Sequence, residues 1–519
     1  MRRRIRGYLR LTKAEGLQSV RDINALLAGT EIEVRSTWAT RFVFGTDCAK
    51  IDIAARQFLF DLLGGKSLNM AVLNAVGSDC FELHHPLPPI WRKSLSKAST
   101  FTAGPYSSLL WTNFMVGHLL KNIAGVFLLP LRAFKHRKRL HVNNDEFYIF
   151  LAGLSELNVP STQSEGRRYD ICNWYAHWKG RDAAIKRICH SANVTSTNCN
   201  NILVESLPEP YEMIRGLALW MRYLLWGILA SLVAGFEMLA GRWSAALLLR
   251  EAAMSKAFSL SNAPKAREYL FHYSGSVYRP LWTYRAEREG AQIISYFYSI
   301  SEQPTLPSGY VPPLIELSLA TWPTYFVWDA YQAEWVRSAS KGSADIHIVG
   351  PIEFSDVPEA LGAIPEGAVA VFDVSYYRLS VHMGFSTMGD FLAAHPDALH
   401  SFLSDCHRVT REMNVPMVLK TKRDIAHRSQ TRYRKLVEST LTDRLIIAVN
   451  PAIAASRVVH QCKAVISVPF TSTALLVPGV PSAFYDPTGW IQKNDRAAHG
   501  IPILTGPNEL RAWLSKTLG

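Results

Sequence analysis

The sequence predicts an α/β protein whose C-terminal part is a doubly wound parallel sheet, and three observations carry that expectation. From about Ala263 onward, short apolar runs rich in β-branched and aromatic residues alternate with helical stretches, the texture of strand–helix–strand units around a parallel sheet. Gly350-Pro351 interrupts the alternation, so 346–519 reads as a unit of its own behind a first part spanning 1–345. At 519 residues the chain also exceeds what one ordinary core serves, which calls for two or more domains.

Taken in order, 269–273 reads as a strand and is followed by a helix through Trp282 and Arg288 that Gly290 closes. Strands follow at 292–298 and 324–328, then a helix at 331–338 and a strand at 345–349. Beyond the Gly-Pro break, strands are expected at 369–374, 417–421, 445–449, 464–468 and 482–485. Helices fall between them at 397–413, 430–441 and 452–461, and another starts near Thr471. No internal repeat and no low-complexity tract interrupts this reading.

Two apolar stretches mark the first half. The run 109–131 is broken by His118 and Lys121, closed by Pro130, and followed by the basic residues Arg132, Lys135, His136, Arg137, Lys138 and Arg139. The run 216–236 is apolar except for Arg222, and its uncharged core of 14 residues, 223–236, falls short of the roughly 20 that span a bilayer. A buried helix pair and helices lying in a membrane interface both fit, since flanking Arg and Trp suit headgroups. The embedded Arg222 argues against spanning.

Hydrophobic residues make up 48% of the chain and charged residues 19%, which excludes long disorder. The 56 Lys and Arg outnumber the 43 acids, for a net charge of +13, so polyanions are the natural partners. With no zinc-finger spacing, RNP-like strand or basic helix with heptads, nucleic acid is set aside. An anionic membrane surface and phosphorylated ligands remain. The seven cysteines are scattered without a CxxC pair, so neither a disulfide framework nor a zinc site is indicated and a reducing cytoplasm is expected. The basic start Met1-Arg2-Arg3-Arg4 is followed by no apolar h-region, so no secretory signal is expected.

Ligands of open α/β sheets bind outside the carboxyl ends of the strands, where helix N-termini offer backbone donors. The turn Ser467-Val468-Pro469-Phe470-Thr471-Ser472-Thr473 follows an expected strand and opens an apolar helix. Its hydroxyls Thr471, Ser472 and Thr473 can cap that helix or share its free N–H groups with a phosphate. The strand 417–421 ends in Lys420-Thr421-Lys422-Arg423, either a solvated loop or a positive rim on the same sheet edge. His84-His85 and His395-Pro396 are read as structural, and Trp282 and Tyr284 as core.

The segment Val468-Pro469-Phe470-Thr471-Ser472-Thr473-Ala474 resembles the signature of the bacterial polysaccharide biosynthesis PFTS motif proteins. The resemblance extends to Tyr278-Arg279-Pro280-Leu281-Trp282-Thr283-Tyr284, Phe297-Tyr298-Ser299, Trp328-Asp329, Tyr331-Gln332, Phe372-Asp373-Val374-Ser375 and Leu419-Lys420-Thr421-Lys422-Arg423. It covers roughly 265–490; the first 260 residues match nothing recognisable.

The resemblance implies a GT-B-like glycosyltransferase of surface-polysaccharide assembly, with two Rossmann-type domains facing a cleft and helical membrane-proximal insertions in the N-terminal half. Related bacterial sialyl- and Kdo-transferases bind the nucleotide of a CMP-sugar with a Lys-x-His-Pro turn and a Ser/Thr pair. By position, Lys420, Lys422 and Arg423 stand for the first and Thr471, Ser472 and Thr473 for the second, with Lys422 where the histidine would be. The base that deprotonates the acceptor is expected from Asp329 or Glu302, with Glu334 less favoured, and Arg279 and Tyr278 as substrate contacts.

No metal or cofactor is expected beyond a nucleotide-sugar co-substrate. The acceptor is a glycan or a lipid-linked glycan, and the location the inner face of the cytoplasmic membrane. The competing readings are a nucleotide-sugar epimerase, a CDP-polyol phosphotransferase, and a non-catalytic membrane-associated assembly factor.

Overall fold

The computed structural model describes residues 14–45, 48–98, 100–136, 149–153, 175, 185, 187–191, 197–199, 202–207, 214, 216–261, 265–272, 278–297, 299–300, 315–340, 344–351, 364–374, 376, 379, 382, 395–421, 431–450, 453, 455–471, 473 and 479–519. A helical region opens the chain, from Ala14–Gly29 to Pro89–Ala98, and holds a small parallel pair, β1 (Glu82–Leu83) and β2 (Thr102–Ala103).

Two larger sheets follow. The first contains β3 (Ile149–Ala152), β4 (Arg187–His190), β5 (Thr197–Cys199), β6 (Ile202–Ser206), β7 (Glu268–His272), β8 (Gln292–Tyr296), β9 (Thr324–Val327) and β10 (Asp345–Ile348). Their order is β10-β9-β8-β7-β3-β4-β6-β5, and every pairing is parallel except β5 with β6. The second contains β11 (Val369–Asp373), β12 (Met417–Thr421), β13 (Ile446–Ala448), β14 (Ala464–Ser467), β15 (Ser482–Asp486) and β16 (Ile503–Thr505). It is wholly parallel in the order β13-β12-β11-β14-β15-β16. Numbered from its own first strand this is 3-2-1-4-5-6, the Rossmann order. The architecture is therefore α/β with two Rossmann-type units, as expected.

The strands read clearly because both faces of a parallel sheet are covered, which favours unbroken apolar runs. Every residue of β11 and β14 is buried. The strands β3, β4 and β6 escaped the sequence reading, as did β16. The last has three residues squeezed between Pro502 and Gly506-Pro507, too short for a periodicity to register. The Gly350-Pro351 break lies just past β10, the outer strand of the first sheet. The helix expected from Thr471 lies largely outside the described residues.

Both apolar stretches are helices, Ser107–His136 and Leu217–Leu239. They pack on each other and on Ser244–Leu260, a nearly fully buried helix that in turn contacts the helix Leu281–Arg288 behind the first sheet. Asn122 Nδ2 donates to the Ala246 carbonyl at 2.9 Å, and Tyr223 Oη to the Val126 carbonyl at 3.0 Å. One core runs from Leu151, Leu270, Phe326 and Trp328 of the first unit to Phe372, Val465 and Phe484 of the second.

Candidate functional site

The Rossmann order makes β11 and β14 neighbours whose onward connections run to opposite sides. Their carboxyl ends therefore flank the topological switch point, where the diverging loops leave a crevice for a ligand. The chain leaves β14 at Ser467 and turns through Phe470, which has φ 60. A phenylalanine in the left-handed region is uncommon. Thr471 closes the turn: its N–H and its Oγ1 both donate to the Val468 carbonyl, at 3.3 and 2.8 Å. The Thr471 and Thr473 hydroxyls lie 3.1 Å apart. Ser472, Lys422 and Arg423 lie outside the described residues.

Strand register adds a relationship that the sequence could not supply. Phe372 pairs with Lys420 on one side and with Ser467 on the other. Paired residues of adjacent strands point to the same face, so Lys420, Phe372 and Ser467 form one row, with strand steps of about 4.8 Å. Lys420 is buried, and burial lowers its pKa from the usual lysine value. The Ser467 hydroxyl is also buried and has no hydrogen-bond partner among the described residues.

Asp373 ends β11 on the opposite face. Its Oδ2 accepts a 2.5 Å hydrogen bond from Tyr433, whereas Oδ1 has no partner among the described residues. Burial raises its pKa to about 6, against the lowering effect of the Tyr433 hydroxyl and the Val374 N–H. Asp373 closes the first strand of this Rossmann unit, within the segment Phe372-Asp373-Val374-Ser375.

The candidate base Asp329 caps the helix Ala330–Ala339, accepting from Gln332 N at 2.9 Å. Its other oxygen lies 2.6 Å from His499 Nδ1, a buried imidazole of the second unit. No sequence signal marked His499. Glu334 is exposed on the same helix, and Glu302 lies outside the described residues.

Arg279 and Tyr278, expected as substrate contacts, both meet groups of the first unit. The Arg279 guanidinium is 3% exposed, donates to Thr283 Oγ1 at 3.0 Å and to the Thr321 carbonyl at 2.9 Å, and pairs with Glu287. It also lies 4.0 Å over the Tyr284 ring. Tyr278 donates to Glu251 at 2.8 Å. Burial raises the Glu251 pKa to about 7, with Tyr278 and Arg250 acting in the opposite direction. The guanidinium thus engages three of the first unit's own groups. Trp282 stacks edge-on to Tyr269 at 5.0 Å, in the core as expected. Among the described residues, no group of three or more His, Cys, Asp or Glu could hold a metal ion.

No curated protein matches the sequence. Solved structures with a loose likeness include the wall teichoic acid polymerase TagF, with a TM-score of 0.39, 12% identity, and coverage of 78% of this chain and 89% of that one. Sucrose-phosphate synthase from Thermosynechococcus elongatus gives 0.36 at 9% identity, over 72% and 90% of the two chains. MurG of Acinetobacter baumannii gives 0.30 at 9%, over 72% and 91%. The family profile described as "Polysaccharide biosynthesis PFTS motif protein" matches residues 226–514, which hold most of the first sheet's later strands and nearly all of the second unit. Matched over more than half of its length and carrying the Pro469-Phe470-Thr471-Ser472 turn at the switch point, this chain belongs to the polysaccharide biosynthesis PFTS motif proteins.

Proposed function

We propose that the protein is a GT-B-type glycosyltransferase of surface polysaccharide biosynthesis, of the capsule or O-antigen kind. It moves a sugar from a nucleotide-sugar to a glycan or lipid-linked acceptor at the inner face of the cytoplasmic membrane. The observation that carries this reading is the position of the family's turn at the switch point of a Rossmann-ordered sheet, just after Ser467, which shares a row with Lys420.

Departure of the nucleotide leaves negative charge on its phosphate, and fixed positive groups in a water-poor site stabilise that charge. Lys420 supplies a cation from the sheet itself. Lys422 and Arg423 follow it in the sequence, and Thr471 and Thr473 offer hydroxyls on the other side of β11, with Ser472 between them in the sequence. The acceptor hydroxyl gives up its proton to a carboxylate of the first unit, with Asp329 or Glu302 in that role. The reaction draws on no metal or cofactor in this reading; the nucleotide-sugar is a co-substrate.

A thermal-shift screen against CMP-, UDP-, GDP- and CDP-sugars identifies the donor, because a ligand that binds only the folded state raises its stability. Calorimetry on Lys420→Ala combined with Ser472→Ala then tests the site. Unchanged donor affinity in that variant would remove the switch point from the reading. Donor consumption without acceptor would instead favour an epimerase.

A further inference from the structure

The helices Ser107–His136 and Leu217–Leu239 are long and apolar enough to cross a membrane, yet only 33% and 28% of their most apolar windows is buried. What they leave uncovered is patterned. On the second helix, Leu217, Met221, Leu225, Ile228, Leu232 and Phe236 are all exposed, and their spacing of three and four residues places them along one stripe. The first helix leaves Leu109, Leu120 and Leu131 exposed at compatible spacing. The two helices touch: a Cβ added at Gly227 would stand 2.8 Å from Val126. The stripes therefore belong to one body, far more apolar than an ordinary protein surface.

The exposed charges on the two helices have one sign. Lys121, Arg132 and Arg222 are exposed on the two helices. Their only acid, Glu237, is buried and held by Arg242 at 2.6 and 2.8 Å. The sequence after Arg132 continues with Lys135, Arg137, Lys138 and Arg139. Crossing the bilayer would withdraw the faces that both helices bury on Ser244–Leu260. It would also strip Asn122 of its two carbonyl partners and carry Lys121 and Arg222 into hydrocarbon, which is costly.

We infer that the two exposed stripes form a single lipid-binding face, bedded in one leaflet of an anionic bilayer without spanning it, with Lys121, Arg132 and Arg222 at headgroup level. Such a face enters about 5–10 Å, to the boundary of headgroups and acyl chains. The inference deepens the peripheral-membrane part of the proposed function and rests on it.

The test is flotation of the full chain with vesicles of phosphatidylglycerol and phosphatidylcholine, against phosphatidylcholine alone. The wild type is expected to float with the anionic vesicles, and Leu225→Glu/Leu232→Glu to lose at least about tenfold of that partitioning. Both positions are exposed, so the variant should keep its melting temperature and donor-induced thermal shift. Should it fail to fold, Lys121→Glu/Arg222→Glu decides, with selective loss of binding to the anionic vesicles.

Flotation of the leucine variant like the wild type would overturn the inference, as would a wild type that stays unbound. So would a concentration-dependent dimer that the leucine variant abolishes in the absence of vesicle binding, since a second copy would then cover the face. Flotation intact with donor binding insensitive to Lys420→Ala would sink the transferase reading alone.

Discussion

The Asp329 carboxylate accepts a 2.6 Å hydrogen bond from His499, which joins the segment after β9 to the segment before β16 and so ties the two sheet units together. The same carboxylate caps the helix Ala330–Ala339 through Gln332 N. Two structural tasks on one side chain separate stability from catalysis in a simple way.

Asp329→Ala removes both bonds and is expected to lower stability by about 1–3 kcal/mol, read as a lower denaturation midpoint. Asp329→Asn keeps an oxygen for the cap and loses the charge, so most of that stability should return. If Asp329 is the acceptor base, Asn should still lose about 100-fold or more in turnover. Full turnover in a stable Asp329→Asn variant would leave the residue a structural one.

Lys420 illustrates the opposite trade. Burial lowers its pKa, so holding the ammonium charged at neutral pH works against folding. Lys420→Met removes the cation and should lose about 1.5–3 kcal/mol of donor affinity. Calorimetry on the folded variant checks this, and unchanged donor affinity would contradict it.

Asp373 gives a pH signature. Its folded pKa of about 6 lies above the 3.8 of an unperturbed aspartate, so the folded state binds more protons between those values. Its contribution is full below about pH 4 and is lost as the pH rises through about 6. That difference corresponds to roughly 3 kcal/mol. Asp373→Asn, which can still accept from Tyr433, should flatten this part of the stability profile and gain on the wild type at pH 7. Urea midpoints at pH 4.5 and pH 7 report it; parallel profiles for the two proteins would refute it.

Arg279→Ala should act on stability and not on the donor. Removal of the guanidinium leaves the Thr321 carbonyl and Glu287 without their partner and empties the space over Tyr284, at a cost of about 3 kcal/mol. The donor-induced thermal shift of the folded variant should match the wild type. A selective loss of donor binding at unchanged stability would instead mark Arg279 as the substrate contact expected from the sequence.

Much of the second unit was legible in the chain. The runs around Val369, Met417, Ala464 and Ser482 are unbroken and apolar because both sheet faces are covered, and their strands lie where the pattern places them. The first unit was less legible. β3 and β4 are four residues each, and Arg187 and His190 in β4 mask an apolar signal that only their burial explains. The surroundings of Arg279 were not legible either, because the Thr321 carbonyl reaches its guanidinium from 42 residues away.

Taken alone, the sequence determined the alternation of strands and helices, the Pro469-Phe470-Thr471-Ser472 turn and the two apolar runs, because each is a local pattern of a few adjacent residues. Tertiary structure alone decided that β11 separates β12 from β14, so that Lys420 and Ser467 share a row. It also decided that His499 meets Asp329 across 170 residues, and that Leu225 and Leu232 face outward. Strand order, register and burial are set by contacts between distant segments, and no periodicity along the chain encodes which segment a given strand will meet.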